Sequence, residues 1–277
     1  MEDKKIKLVG VDLDGTLLDS QKQIAEYTKE VIRKANEQGC YVLASTGRPL
    51  SAVPQSILDV VGTKYVVAVN GAEIIDMETK EIVYKSLLPV DLAVKSMEIL
   101  EEYDLLIEVF IDDVGYTDAR ALEKVEEYVI TPAMVKYMKE SRVPVEDVKV
   151  TLIEKNRPVG KVHAIFKYPE QREEVRKRLL EEMDVDLTSS SPRDLDVNKK
   201  GTNKGIGLVK LGEILGISKE EIMACGDSFN DYEMLSEVGL GVAMGNAEES
   251  LKAIADYITD TNDNYGVAKA IERFVLK

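Results

Sequence analysis

The apolar run Ile6-Lys7-Leu8-Val9-Gly10-Val11 passes directly into Asp12-Leu13-Asp14-Gly15-Thr16. A strand that is apolar almost to its end is buried on both faces, as in a parallel sheet covered by helices. Open sheets of this kind collect their ligands at the carboxyl ends of the strands. Two carboxylates two residues apart at such an end repel each other unless a proton or a cation lies between them. A hard divalent cation, Mg2+ by the chemistry of oxygen donors, is expected there, with one oxygen left for chemistry.

The remaining pattern keeps the same rhythm. Ile24, Tyr27, Val31, Ile32 and Ala35 share a helical face that ends at Gly39. A strand over 40–45, a loop with Gly47-Arg48-Pro49, a helix to Gly62 and a strand over 65–69 follow. This alternation predicts an α/β fold with a doubly wound, Rossmann-like, mostly parallel sheet. Residues 73–76 and 81–84 read as a hairpin leaving that sheet. From about Leu88 the texture changes to helices over 93–103 and 170–183 with strands over 105–111 and 161–167, which predicts an inserted α+β unit. The expected division is a discontinuous core, 1–86 and 190–277, around a cap, 87–189. Small polar residues and a proline in Thr188-Ser189-Ser190-Ser191-Pro192 suggest the return hinge. Beyond it a helix over 202–215, with Thr202 as N-cap, leads to strands over 221–226 and 239–244 and to closing helices.

A formal charge of −15 on 277 residues supplies no basic field to gather phosphates at long range, which argues against nucleic acid and membrane surfaces as partners. Any anion must be captured locally. No run of about 18 apolar residues occurs, so no transmembrane helix is expected. The few apolar residues between Met1-Glu2-Asp3-Lys4-Lys5 and Asp12 are too short for an export signal. Cys40 and Cys225 lie in apolar strand-like runs and read as reduced core residues, with a disulfide as the alternative; the cytoplasm is the expected compartment.

Three further clusters stand out. Ser45-Thr46-Gly47-Arg48-Pro49 offers a hydroxyl and freed backbone N–H groups before a helix, suited to a phosphate or merely to capping. Lys204, in Gly201-Thr202-Asn203-Lys204-Gly205, places a cation in a helix's first turn against the macrodipole; a bound phosphate would compensate, or the side chain is simply solvated. Gly226-Asp227-Ser228-Phe229-Asn230-Asp231 brings a third strand-end acid, with Ser228 and Asp231 matching a capping box. His163, the one histidine, reads as a strand residue, so acid–base work falls to carboxylates.

Taken in order, Asp12-Leu13-Asp14-Gly15-Thr16, Thr46-Gly47-Arg48, Asn203-Lys204-Gly205 and Gly226-Asp227-Ser228-Phe229-Asn230-Asp231 resemble the haloacid dehalogenase-like superfamily, in particular its Cof-type phosphatases with a type IIB cap. The resemblance spans essentially the whole chain. It implies a phosphatase of small phosphorylated metabolites, sugar phosphates foremost, as a monomer or homodimer. By that resemblance Asp12 is the nucleophile, and Asp14 protonates the leaving group and later activates water. Mg2+ would be held by the Asp12 carboxylate, the Asp14 carbonyl and Asp227, with Asp231 acting through water. Thr46, Lys204, Asn230 and the N–H groups of Leu13 and Gly47 would surround the phosphoryl group. Asp14 must be protonated for the first step, so its surroundings are expected to favour the neutral form more than those of Asp12 do. A phosphomutase, using cap arginines such as Arg120, Arg142 or Arg157, and a phospho-aspartate switch are the alternatives. Tyr116, Asp118 and Asn70 are candidates for reading the substrate.

Overall fold

The computed structural model describes residues 5–276; the reading of Met1–Lys4 as free of an export signal lies outside them. The chain forms two compact units, one made of the segments up to Lys85 and from Asn203, the other of Ser86–Thr202. The first unit opens with β1 (Leu8–Val11), α1 (Glu26–Glu37), β2 (Tyr41–Ala44), α2 (Gln55–Val61), β3 (Tyr65–Ala68), β4 (Glu73–Asp76) and β5 (Ile82–Lys85). The second holds α3 (Val90–Leu100), β6 (Leu105–Ile111), β7 (Val114–Asp118), α4 (Ala119–Glu123), α5 (Pro132–Ser141), β8 (Arg142–Val145), α6 (Val148–Lys155), β9 (Val162–Phe166), α7 (Arg172–Glu182), β10 (Val185–Thr188) and β11 (Asp194–Lys199). The first unit resumes with α8 (Lys204–Leu215), β12 (Ile222–Gly226), α9 (Tyr232–Glu237), β13 (Leu240–Ala243), α10 (Glu249–Lys252), β14 (Tyr257–Ile258) and α11 (Gly266–Phe274).

The core sheet is parallel throughout, in the order β14-β13-β12-β1-β2. Every residue of β1 and β12 is buried, which explains why neither strand alternates. α8 lies so close to β1 that a side chain at Gly10 would fall 2.3 Å from Leu208 Cδ1. α1 buries Thr28, Val31, Ile32 and Ala35, leaves Tyr27 exposed, and gives way to Gly39 at φ +84°.

β3 departs from expectation. It pairs antiparallel with β4 and, through it, β5, and is joined to the main sheet beside β2 by the parallel bridge Ser45–Val67 and the Tyr41–Tyr65 ring contact. Positive φ at Val69, Asn70 and Gly71 turns the chain back at once into the hairpin.

The second unit is a six-stranded sheet, β10-β11-β9-β6-β7-β8, antiparallel except for the β7–β8 pair. β11 pairs with both β9 and β10, so the chain leaves this unit at Thr202 rather than near 190. Ser189, Ser190 and Ser191 form the β10–β11 turn and close on the Asp194 carboxylate, with Ser190 N–H and Oγ at 2.8 and 2.7 Å and Ser191 Oγ at 2.8 Å. A hinge and a turn built on one buried carboxylate share the same small polar composition. At the unit's two ends, Ser86 Oγ and Thr202 Oγ1 are hydrogen-bonded at 2.6 Å.

On one face of this sheet, Ile107, Val109, Val162, Ala164, Phe166, Leu195 and Val197 pack with Met97 and Leu100 of α3, Leu152 of α6, and Val175 and Leu179 of α7. The alternate residues put Glu108, His163 and Asp196 in one cross-strand row. His163 Nδ1 lies 2.6 Å from Asp196, Lys161 Nζ 2.9 Å from the same carboxylate, and Arg142 Nε 2.5 Å from Glu108. Burial pushes the imidazole toward neutrality, but the Asp196 carboxylate, with Glu108 beyond it, outweighs this and raises the His163 pKa. A raised folded pKa contributes stability that is complete below the unfolded value of about 6.5 and is lost as pH rises through the folded value. The protein should therefore lose stability to urea as pH climbs above about 6.5, and His163→Gln should flatten that loss. Parallel slopes in the two proteins would show that His163 does not titrate there.

Candidate active site

β12 and β2 flank β1 in parallel, so the loops leaving all three strands emerge at one sheet edge. The Asp12 N–H donates to the Cys225 carbonyl at 3.0 Å and the Ser45 N–H to the Val11 carbonyl at 2.8 Å, carrying the ladder to the last residue before each loop. The chain then turns sharply, with Leu17 N–H on the Asp12 carbonyl and Leu18 N–H on the Leu13 carbonyl. Gly15 sits at φ +86°, and a Cβ there would lie 2.4 Å from Asp227 Oδ2. Only glycine meets both conditions. Thr16 donates its hydroxyl to Asp227 Oδ1 at 2.6 Å.

Lys204 is fully buried, its ammonium 2.6 Å from Asp12 Oδ1 and 2.7 Å from Asp231 Oδ1. Two carboxylates therefore answer its opposition to the α8 dipole, and it is not a solvated side chain. The helix is capped by Asn203, whose side chain accepts from Ile206 N–H at 2.8 Å, and not by Thr202. Missing side chains let α8 reach this depth: a Cβ at Gly71 would fall 2.2 Å from the Asn203 carbonyl oxygen, and one at Gly205 2.4 Å from that of Glu233. Asp231 uses both oxygens, since Oδ2 accepts the N–H groups of Asp227 and Ser228 at 3.0 and 3.1 Å in the capping box with Ser228.

Asp12, Asp227 and Asp231 offer oxygens that all lie within 4.8 Å of one another. Burial, helped by the Asp231 and Asp14 charges, outweighs Lys204 and pushes the Asp12 carboxyl up to about 7. Burial and the charges of Asp12 and Asp231 push Asp227 up to about 8. Three acids share one ammonium, and near neutrality the excess negative charge calls for protons or a further cation. An all-oxygen donor set of this kind fits a hard divalent cation.

Asp14 is placed differently. Arg48 Nη2 and Nε lie 2.5 and 3.1 Å from its Oδ2, and Lys22 Nζ 2.8 Å from Oδ1. Burial acts to raise its pKa, but Arg48 and then Lys22 outweigh it, and the carboxyl stays below the ordinary range. The expectation that Asp14 favours its neutral form more than Asp12 is thus reversed, because the neighbouring loops deliver two cations to Asp14.

Thr46 is buried, and its Oγ1 accepts the Arg48 N–H at 3.2 Å. No α-helix begins beside it. A single 3-10 turn, Leu50–Ala52, follows, and α2 starts only at Gln55; Pro49 and Pro54 each bar the preceding residue from helical backbone. Gly47 lies against two amides, for a Cβ there would be 2.7 Å from Asn70 Oδ1 and 3.7 Å from Asn230 Nδ2. Among the described residues, no backbone carbonyl accepts the N–H of Leu13 or of Gly47. Thr16 and Arg48 lie within the first two motifs, but their bonds to Asp227 and Asp14, and the approach of Lys22 to Asp14, depend on contacts that spacing alone does not carry.

Other candidates serve their own unit. Asp118 accepts the Val148 N–H at 2.7 Å, Lys155 Nζ sits 4.8 Å from the centre of the Tyr116 ring, Arg142 is held by Glu108, and Arg157 Nη1 lies 2.7 Å from Asp112. Cys40 and Cys225 are buried and free. No helix among the described residues is long and apolar enough to cross a membrane.

Known proteins place these loops in context. The haloacid dehalogenase-like hydrolases match residues 9–271 as a family. The chain belongs to that family. It is 33% identical to the Bacillus subtilis 5-amino-6-(5-phospho-D-ribitylamino)uracil phosphatase YcsE, over 99% of this chain and 98% of the relative. With the Escherichia coli pyridoxal phosphate phosphatase YbhA it shares 28% identity, over 96% and 97% of the two chains. A solved HAD subclass IIB sugar phosphatase superposes with a TM-score of 0.79 at 27% identity, covering 97% of this chain and 98% of that one.

Proposed function

We propose that this hydrolase is a cytoplasmic, Mg2+-dependent phosphatase of small phosphorylated metabolites, sugar phosphates foremost, acting through a phosphorylated Asp12. The observation that carries the reading is the acidic group of buried Asp12 and Asp231, both paired with Lys204, and half-buried Asp227 at the carboxyl edge of the parallel sheet. Related phosphatases of a phosphoribityl pyrimidine, of pyridoxal phosphate and of sugar phosphates share a phosphomonoester on a small polar scaffold.

In this mechanism Lys204 holds Asp12 by Oδ1, and Oδ2 attacks phosphorus as the ester P–O bond breaks. The leaving oxygen takes a proton from Asp14. In the second half-reaction Asp14 removes a proton from water, and the acyl phosphate is cleaved to inorganic phosphate and free Asp12. An ammonium has three protons; two of those on Lys204 are given to Asp12 and Asp231, and the third is directed to the phosphoryl group. Thr46, Asn230 and the N–H groups of Leu13 and Gly47 provide the other preorganised donors. Asp12, Asp227 and the Asp14 carbonyl would hold Mg2+, with Asp231 acting through water; when bound, the cation offsets the repulsion between a carboxylate and a phosphate.

Inorganic phosphate release from phosphorylated sugars, sugar alcohols, nucleotides, the phosphoribityl pyrimidine and pyridoxal phosphate, compared by kcat/KM, tests the reading. Turnover should vanish in EDTA and return with Mg2+, without a bisphosphate activator. Metal-independent release, or none from any ester, would overturn it, and phosphate retained on the sugar would indicate a mutase.

A further inference from the structure

The loop that follows β13 reaches both acid-bearing turns without touching either acid's carboxylate. Asn246 donates its side-chain amide to the Gly15 carbonyl at 2.8 Å. Two residues on, the Glu248 N–H donates to the Asp227 carbonyl at 3.1 Å. Thr16, next to Gly15, in turn donates to Asp227 Oδ1. These contacts close a ring that runs from Asp227 through Thr16, Gly15, Asn246, Ala247 and Glu248 back to Asp227. The ring has a fixed sense, because the Asn262 N–H donates to Asn246 Oδ1 at 3.0 Å and so points the amide nitrogen at Gly15. Asn262 also donates its own amide to the Leu18 carbonyl at 2.9 Å, so the Asp12–Leu18 turn is gripped at two carbonyls.

Gly15 needs this grip. With no Cβ and a φ of +86°, it is the softest link between Asp14 and Thr16, and the direction of its carbonyl sets where both neighbours point. Asn246 itself is exposed and fills no part of the core. We infer that Asn246, oriented by Asn262, is a positioning residue that fixes the Asp12–Thr16 turn against Asp227 and thereby sets the affinity of the acidic site for a divalent cation. The inference rests on the metal site proposed above.

Calorimetric titration of Mg2+ into the whole protein, alongside turnover and thermal unfolding, tests it in two variants. Asn246→Ala removes both bonds. Asn246→Asp keeps the acceptor for Asn262 but turns a carboxylate oxygen toward the Gly15 carbonyl, and its near-native shape guards against a folding defect in the first. Both should weaken Mg2+ about tenfold or more, as loss of a residue supporting a metal ligand does. The substrate KM should stay unchanged, kcat should fall at limiting Mg2+ and recover in excess, and Tm should barely move. Native Mg2+ affinity in both variants, whether or not Tm falls, would overturn the inference and leave the phosphatase reading intact. A native protein that neither binds Mg2+ nor needs it would overturn the metal site and the inference together.

Discussion

Lys204→Met should cost the protein about 3–5 kcal/mol of stability, the usual consequence of removing one partner from a buried ion pair, and turnover by about 10²–10³-fold or more. The ammonium is fully buried and touches Asp12 and Asp231, both of which are buried as well. Methionine fills much the same volume, so the defect is one of charge. The sign of its pH dependence follows from Asp12, already pushed up to about 7 with the lysine present. Without the ammonium its proton affinity can only rise, and a carboxyl whose folded pKa exceeds its unfolded value stabilises fully below about pH 4 and progressively less as pH rises through the folded value. Urea unfolding should show a larger gap between variant and native protein at pH 8 than at pH 5. Lys204→Met combined with Asp231→Asn should recover part of the lost stability and none of the turnover, because it removes a repelling charge without restoring the donor. Equal stability of Lys204→Met and native protein at pH 8 would mean that the buried triad is not ionised as described.

The features legible in the sequence were those enforced by burial. Asp12 and Asp227 each end a strand that is apolar on both faces, and a carboxylate at that position has no ordinary structural reason. Lys204 was ambiguous because one residue in a helix's first turn looks alike whether it faces solvent or core; the close approaches at Gly71 and Gly205 that bury it are long-range contacts. The ionisation of Asp14 is hidden from the sequence for a related reason, since Arg48 lies 34 residues away and only the adjacency of β1 and β2 brings it near. The return boundary is hidden because Ser189–Ser191 have the composition of a linker, whereas pairing of Asp194–Val197 with β9 is decided by register across the sheet. The helix expected after Pro49 gave way to a 3-10 turn because a second proline, Pro54, resets the backbone five residues later.

Asp14→Asn should leave Mg2+ affinity nearly native and cut turnover of alkyl phosphates by about 10²–10⁴-fold, the range for loss of a general acid–base group. Its carboxyl stands apart from the acidic group, and asparagine keeps the backbone carbonyl. Arg48 and Lys22 hold that carboxyl ionised, a state suited to accepting a proton from water, whereas protonating an alkoxide requires the same group to gain a proton against both cations. Arg48→Met removes the nearer cation and should move the alkaline fall of the alkyl-phosphate pH profile upward, because Asp14 then keeps its proton to higher pH. p-Nitrophenyl phosphate separates the two duties, as its leaving group departs without a proton. With Asp14→Asn this ester should still phosphorylate Asp12, and the acyl phosphate should then persist for want of a base. Rapid mixing should therefore show a burst of about one equivalent of nitrophenolate followed by a slow steady state. Absence of the burst together with native steady-state rates would remove Asp14 from both steps, whereas a full burst assigns its carboxylate to the water.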